Sequence, residues 1–154
     1  MGGGSSSSWS RLGDIKSLEQ RAKEALQQGR KNVFISFAFE DIDEVNLLRA
    51  QAKNDNNDIE FNDRSVKDAY DSDRADYIRD RLTDRINQAS TTVVYLSDDT
   101  AKSRWVEWEV NKSLELGKKV IGVYAGDAPP KTVPDWISKR GIKVVPWKNL
   151  ATEL

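Results

Sequence analysis

A chain of 154 residues, 38% hydrophobic and 32% charged, is long enough for one domain with a core able to fold alone. Its 24 basic and 25 acidic side chains leave a net charge of −1, which gives no reason to expect nucleic acid or an anionic membrane as partner. With no cysteine and no histidine, disulfides, thiolate chemistry and the usual neutral-pH base are excluded, and no metal site is expected; catalysis must rest on carboxylates, hydroxyls, lysines or backbone groups.

In chain order, residues 1–11 read as a flexible Gly/Ser tail of the kind common in linkers. Its start, Met1-Gly2-Gly3-Gly4-Ser5-Ser6, also fits a myristoylation acceptor formally. No run approaches the roughly 18–20 apolar residues of a membrane span, and nothing resembles a secretory signal, so a cytoplasmic protein is expected. Residues 12–29 predict an extra amino-terminal helix: Ile15, Leu18, Ala22 and Leu26 recur at helical spacing, and Gly29 stands where a C-terminal cap belongs. That helix serves either edge coverage or self-association. The main domain is expected over residues 30–154.

Five strand-like runs follow, at 32–37, 58–61, 91–97, 119–124 and 142–146. Helical patterns lie between them, clearest in Ile78, Leu82, Ile86 and Ala89, then in Val106, Val110 and Leu114 before Gly117. All the runs but the second are almost continuously apolar, the mark of a parallel sheet covered on both faces. The second is short and polar and belongs near an edge. The alternation predicts a small doubly wound α/β domain, three layers with a five-stranded parallel sheet in the order 2-1-3-4-5. In that order the chain reverses between strands one and three, and a ligand crevice opens above their carboxyl ends. Residues 38–44 and 98–103 would flank it.

The helix expected after Ser103 opens with Arg104-Trp105-Val106-Glu107-Trp108-Glu109-Val110. Trp105 and Glu109, four residues apart, share one helix face. Glu107 points about 160° from Trp105, by the step of about 100° per residue. Val106, Val110 and Leu114 are expected as the buried stripe, which sets Trp105 and Glu109 at the margin between core and crevice. A carboxylate there suits cleavage of an N-glycosidic bond to a positively charged base, as in nicotinamide release from NAD. The leaving group departs neutral, so no histidine acid is required, and a glutamate stabilises the oxocarbenium character on the ribose. Trp105, Phe37 or Phe39 would hold the flat base by stacking. The plainer alternative makes Glu109 a surface glutamate near Lys112 and puts the tryptophans in the core.

Phosphate-cradling GxxxxGK[ST] and GxGxxG loops are missing after every strand, as is the G-x-S-x-G elbow. A phosphoacceptor receiver domain shares the expected topology, and Asp41, Asp43, Asp98 and Lys148 superficially fill its slots. However, residues 37–40 separate Asp41 from the strand end, and the fourth strand ends in Tyr124-Ala125 where that family needs a hydroxyl.

Three segments carry a resemblance. Lys31-Asn32-Val33-Phe34-Ile35-Ser36-Phe37 looks like the first strand of TIR-like domains. Residues 103–113, followed by Gly117-Lys118-Lys119-Val120-Ile121-Gly122-Val123, resemble the TIR-like proteins of bacterial Thoeris antiphage systems. Phe61-Asn62-Asp63-Arg64-Ser65-Val66-Lys67-Asp68-Ala69 is similar to their segment after strand two. The resemblance spans roughly residues 31–147. It implies a flavodoxin-like domain that consumes NAD+ as substrate, with no cofactor. The implied product is an ADP-ribose-derived signal read by a separate effector protein, and self-association through TIR-like contacts is implied as well. It places the catalytic glutamate at Glu109 and the substrate cleft at Ser36 to Phe39 and Asp63 to Ser65. Many NAD-cleaving relatives carry a polar residue after the first strand, where this chain has Ala38 and Phe39; Arg64 or Lys67 would then supply the charge. A non-catalytic assembly module, using residues 62–70 and the amino-terminal helix, is the competing reading.

Overall fold

The computed structural model describes residues 31–54, 59–62 and 69–154. The tail and amino-terminal helix expected over residues 1–29 lie outside these described residues. Residues 32–154 make one compact unit.

The sheet is built from β1 (Lys31–Ser36), β2 (Ile59–Asn62), β3 (Thr91–Tyr95), β4 (Lys119–Tyr124) and β5 (Lys143–Pro146). Four of them, β1, β3, β4 and β5, pair parallel in that spatial order. The expected α/β class and parallel sheet are therefore present. β2 takes the outer side of β1, so the hydrogen-bonded order is β2-β1-β3-β4-β5.

Parity along the strands sorts the side chains into two layers, because successive residues face opposite sides. Val33, Ile35, Val93, Tyr95, Ile121 and Val123 form one layer. They pack with Val45 and Leu48 of α1 (Ile42–Asn54), whose third buried residue is Ala52. On the opposite face, Phe34 packs on Ile78, Leu82 and Ile86 of α2 (Ala75–Gln88), as the helical spacing of those residues anticipates. There too, Val94 and Leu96 meet Val106 and Val110 of α3 (Arg104–Glu115), together with Trp136 and Ile137 of α4 (Asp135–Lys139). The run Pro129, Pro130 and Pro134 leads directly into that short helix, Pro134 supplying its N-cap position. A final turn, α5 (Leu150–Glu153), is tied back by Lys143 Nζ, which lies 2.8 Å from one Glu153 carboxylate oxygen.

α3 begins where Ser103 caps it, its hydroxyl accepting from the Val106 amide at 3.3 Å. Just past its end at Glu115, Gly117, with a φ of +74°, turns the chain without the strain a Cβ would add there. The expected stripe is corrected in one place: Val106 and Val110 are buried, but Leu114 is 38% exposed. Steps of four residues advance about 40° each at about 100° per residue, so Leu114 has rotated about 80° away from Val106. Ser113, only about 20° from Val106 by the same count, takes the inward place and is fully buried.

Candidate active site

Glu109 lies on the second turn of α3, and its side of the helix is turned to the carboxyl end of β1. The Ser36 hydroxyl, on the last residue of β1, donates to its carboxylate Oε1 at 2.9 Å. Ser36 is 0% exposed and Glu109 3% exposed. A buried carboxylate is costly unless it is paired or hydrogen-bonded, so this donor is part of what lets the group sit there. The surface-glutamate alternative is thereby excluded. Lys112 pairs instead with Glu115 at 3.1 Å, and the half-exposed Glu107 lies 3.8 Å from Arg140.

Main-chain anchoring adds to the side-chain bond. The Ser113 hydroxyl donates to the Glu109 carbonyl at 2.7 Å, and the Thr92 hydroxyl of β3 lies 2.8 Å from the Ser113 oxygen. All of these polar groups are buried on the α3 side of the sheet. Thr92 and Ser113 were not singled out from sequence. The usable signal was the four-residue spacing from Glu109 to Ser113, with a hydroxyl where the helix period demands an apolar side chain.

The remaining expected site residues divide. Trp105 is not at the crevice margin: it is buried with Phe34, Ile78 and Leu82 in the layer under α2. Its ring meets Tyr70 edge-on at 5.1 Å and Trp108 at 6.2 Å, with the Arg79 guanidinium 5.5 Å from its centroid. So large a ring gains more from full burial between two helices than from a half-wet margin. Phe37 packs in the opposite layer with Val45 and Leu48, and Arg49 stands 5.9 Å from its ring. It therefore cannot share a face with Glu109. Phe39 is 38% exposed in the single 3-10 turn after β1, Phe39–Asp41. Asp63 and Ser65 lie outside the described residues. Of the expected set, the structure brings together Ser36 and Glu109.

A second polar network joins the two loops at the carboxyl ends of β1 and β3. The Ser97 hydroxyl donates to Asp41 Oδ2 at 2.5 Å and accepts from the Asp99 amide at 3.0 Å, while the Ser97 amide donates to Thr100 Oγ1 at 2.8 Å. Burial pushes the Asp41 carboxyl above its ordinary value; the Ser97 bond opposes this, and the charges of Asp99, Glu44 and Glu40 add to the rise. Tyr95, buried beneath, is pushed up as well, first by burial and then by its hydrogen bond to Glu44. The receiver arrangement is not assembled: Asp43 and Asp98 are exposed, and Lys148 is paired with Asp127 at 3.3 Å. Among the described residues no group of three acidic side chains is placed to share a metal ion. None of the described helices is long and apolar enough to cross a membrane.

Comparison with known proteins finds similar sequences and a similar fold. A protein of Bacillus cereus (strain MSX-D12) named "Putative cyclic ADP-D-ribose synthase ThsB1" is 30% identical over 104 residues, which are 61% of this chain and 51% of that protein. The chain thus spans about half the length of that curated relative. The crystal structure of the TIR domain of the Toll-related receptor TRR-2 from Hydra magnipapillata superposes with a TM-score of 0.54 at 19% identity. That match covers 79% of this chain and 95% of the receptor domain, and it speaks for the fold. The family model of the Thoeris protein ThsB TIR-like domain matches residues 34–129, more than half of the sequence and the stretch that holds both Ser36 and Glu109. This chain belongs to the ThsB TIR-like family.

Proposed function

We propose that this domain cleaves NAD+, releasing nicotinamide and forming an ADP-ribose-derived second messenger in antiphage defence. The observation that carries the reading is the buried Glu109 carboxylate, held by Ser36 at the carboxyl end of β1. The name of the Bacillus cereus relative, "Putative cyclic ADP-D-ribose synthase ThsB1", supports the same class of substrate. In the reaction, the bond between ribose C1 and the pyridinium nitrogen breaks, and its electron pair returns to the ring, so nicotinamide leaves neutral. The carboxylate of Glu109 stabilises the positive charge left on the ribose. Water, or a nucleophile within the ADP-ribose itself, then bonds to C1 and loses its proton. Ser36 and Phe39 border the substrate. The scaffold is flavodoxin-like with β2 as its fifth parallel strand, NAD+ is substrate rather than resident cofactor, copies self-associate, and a separate effector reads the product.

Purified protein incubated with NAD+ tests this by chromatography for nicotinamide and mass spectrometry for the ribosyl product. Glu109→Gln should abolish release while leaving the circular dichroism spectrum unchanged, and retained turnover in that variant sinks the assignment. A second reading, an assembly module without catalysis, draws on the near-complete burial of Glu109. Concentration-dependent oligomers that never consume NAD+ would favour it.

A further inference from the structure

Besides the Ser36 bond to its side chain, Glu109 is held through its main chain, and that contact has no evident use in binding a substrate. Ser113 has one hydroxyl proton, and it goes to the Glu109 carbonyl at 2.7 Å. The 2.8 Å contact with Thr92 must then be made by the Thr92 proton, so the chain runs from Thr92 to Ser113 to the Glu109 backbone. Thr92 and Ser113 are each 0% exposed, on the face of the sheet where Val94, Val106 and Val110 belong to an apolar cluster. An apolar pair would fill that space without a helix hydroxyl bonding back to the preceding turn, which slightly destabilises helices.

The spacing explains what the pair does. Phe34 and Ser36 stand opposite Thr92 and Val94 in the β1–β3 register, so Ser36 and Thr92 mark two levels of the sheet, two residues apart. Two strand residues rise about 6.6 Å. From Glu109 to Ser113 the helix rises about 6.0 Å. The two periods nearly match, so α3 is held to β1 at one level and to β3 at the next.

We propose that Thr92 and Ser113 are positioning residues that set the axial placement of α3 and so aim the Glu109 carboxylate. This rests on reading Glu109 as the group that meets the substrate. The variants are Thr92→Val, Ser113→Ala and the two combined; the combination removes both polar groups and leaves neither orphaned. In NAD+ turnover the double variant should lose at least tenfold in kcat with KM within twofold of wild type, whereas Thr92→Ser, which keeps the hydroxyl, should retain wild-type kcat. Should the combination fail to fold, Thr92→Val alone carries the comparison. Wild-type kcat in the hydroxyl-free variant, or an equal loss in Thr92→Ser, overturns the proposal. A readout independent of turnover is the Glu109 side-chain carboxyl carbon resonance. In the hydroxyl-free variant it should move toward its position in Ser36→Ala, where the hydrogen bond is missing by construction. A resonance left at its wild-type position overturns the positioning role. Should wild-type protein release no nicotinamide, the NAD reading falls, and the resonance alone decides the role of the hydroxyl pair.

Discussion

Removing the Ser36 hydroxyl isolates the contact that places Glu109. The bond is 2.9 Å long, its donor is 0% exposed and its acceptor 3% exposed, so water cannot replace it when it is lost. A hydrogen bond to a charged acceptor in such surroundings is worth about 1.5–3 kcal/mol. Ser36→Ala should therefore cost about 2 kcal/mol, which for a domain of this size lowers the melting midpoint by about 8 °C. The decisive form is a double-mutant cycle with Glu109→Ala, read by urea denaturation and tryptophan fluorescence. With its acceptor already gone, the serine should be worth less than about 0.5 kcal/mol, giving a coupling of about 1.5–2 kcal/mol. Additivity of the two substitutions to within about 0.5 kcal/mol would refute the claim that Ser36 holds the carboxylate.

Two further outcomes follow from the packing and the charges. A Cβ at Gly122 would stand 3.1 Å from Val144 Cγ2 and 3.2 Å from Leu96 Cδ1, so Gly122→Ala must displace two side chains in a filled layer. Overpacking outweighs the entropy gained in the unfolded chain, and a net loss of about 1 kcal/mol is expected by urea denaturation; a stabilised variant would contradict it. Asp41 binds its proton more tightly folded than unfolded, because burial raises its carboxyl. The stability from that proton is fully present below the unfolded value and is lost as pH rises through the raised one. Asp41→Asn cannot titrate, so its melting temperature relative to wild type should climb from about pH 4 toward neutrality, and a pH-independent difference would count against the burial argument.

Much of this was legible in the sequence where burial alone decides conformation. The strand Lys119–Tyr124 has the bounds its sequence predicts, and Ile78, Leu82, Ile86 and Ala89 are all buried as their spacing requires. Glu109 could be chosen over Glu107 because helix periodicity fixes angle. What periodicity cannot supply is the neighbour at that angle. Trp105 shares a face with Glu109, but that face is broad enough for one side chain to enter the α2 layer and the other to meet β1. Phe37 follows Ser36 directly, yet it packs in the opposite layer with Val45 and Leu48, because successive strand residues face opposite sides. Thr92 and Ser113 are not legible in the sequence, because a buried hydroxyl reads as a weak apolar residue until its partner is placed across the sheet. The helix Asp135–Lys139 is too short for its pattern to stand out behind three prolines.

Ser36 and Phe37 are consecutive residues sent to opposite layers, one beneath Glu109 and the other beneath α1. Slipping β1 by a single residue against β3 would deliver a phenyl ring to the carboxylate and a hydroxyl to the apolar layer. The contact between Ser36 and the buried carboxylate is thus also a parity check on sheet assembly, because a misregistered β1 takes the serine hydroxyl away from Glu109. An insertion or deletion within β1 forfeits the serine contact and the apolar layer beneath α1 at once.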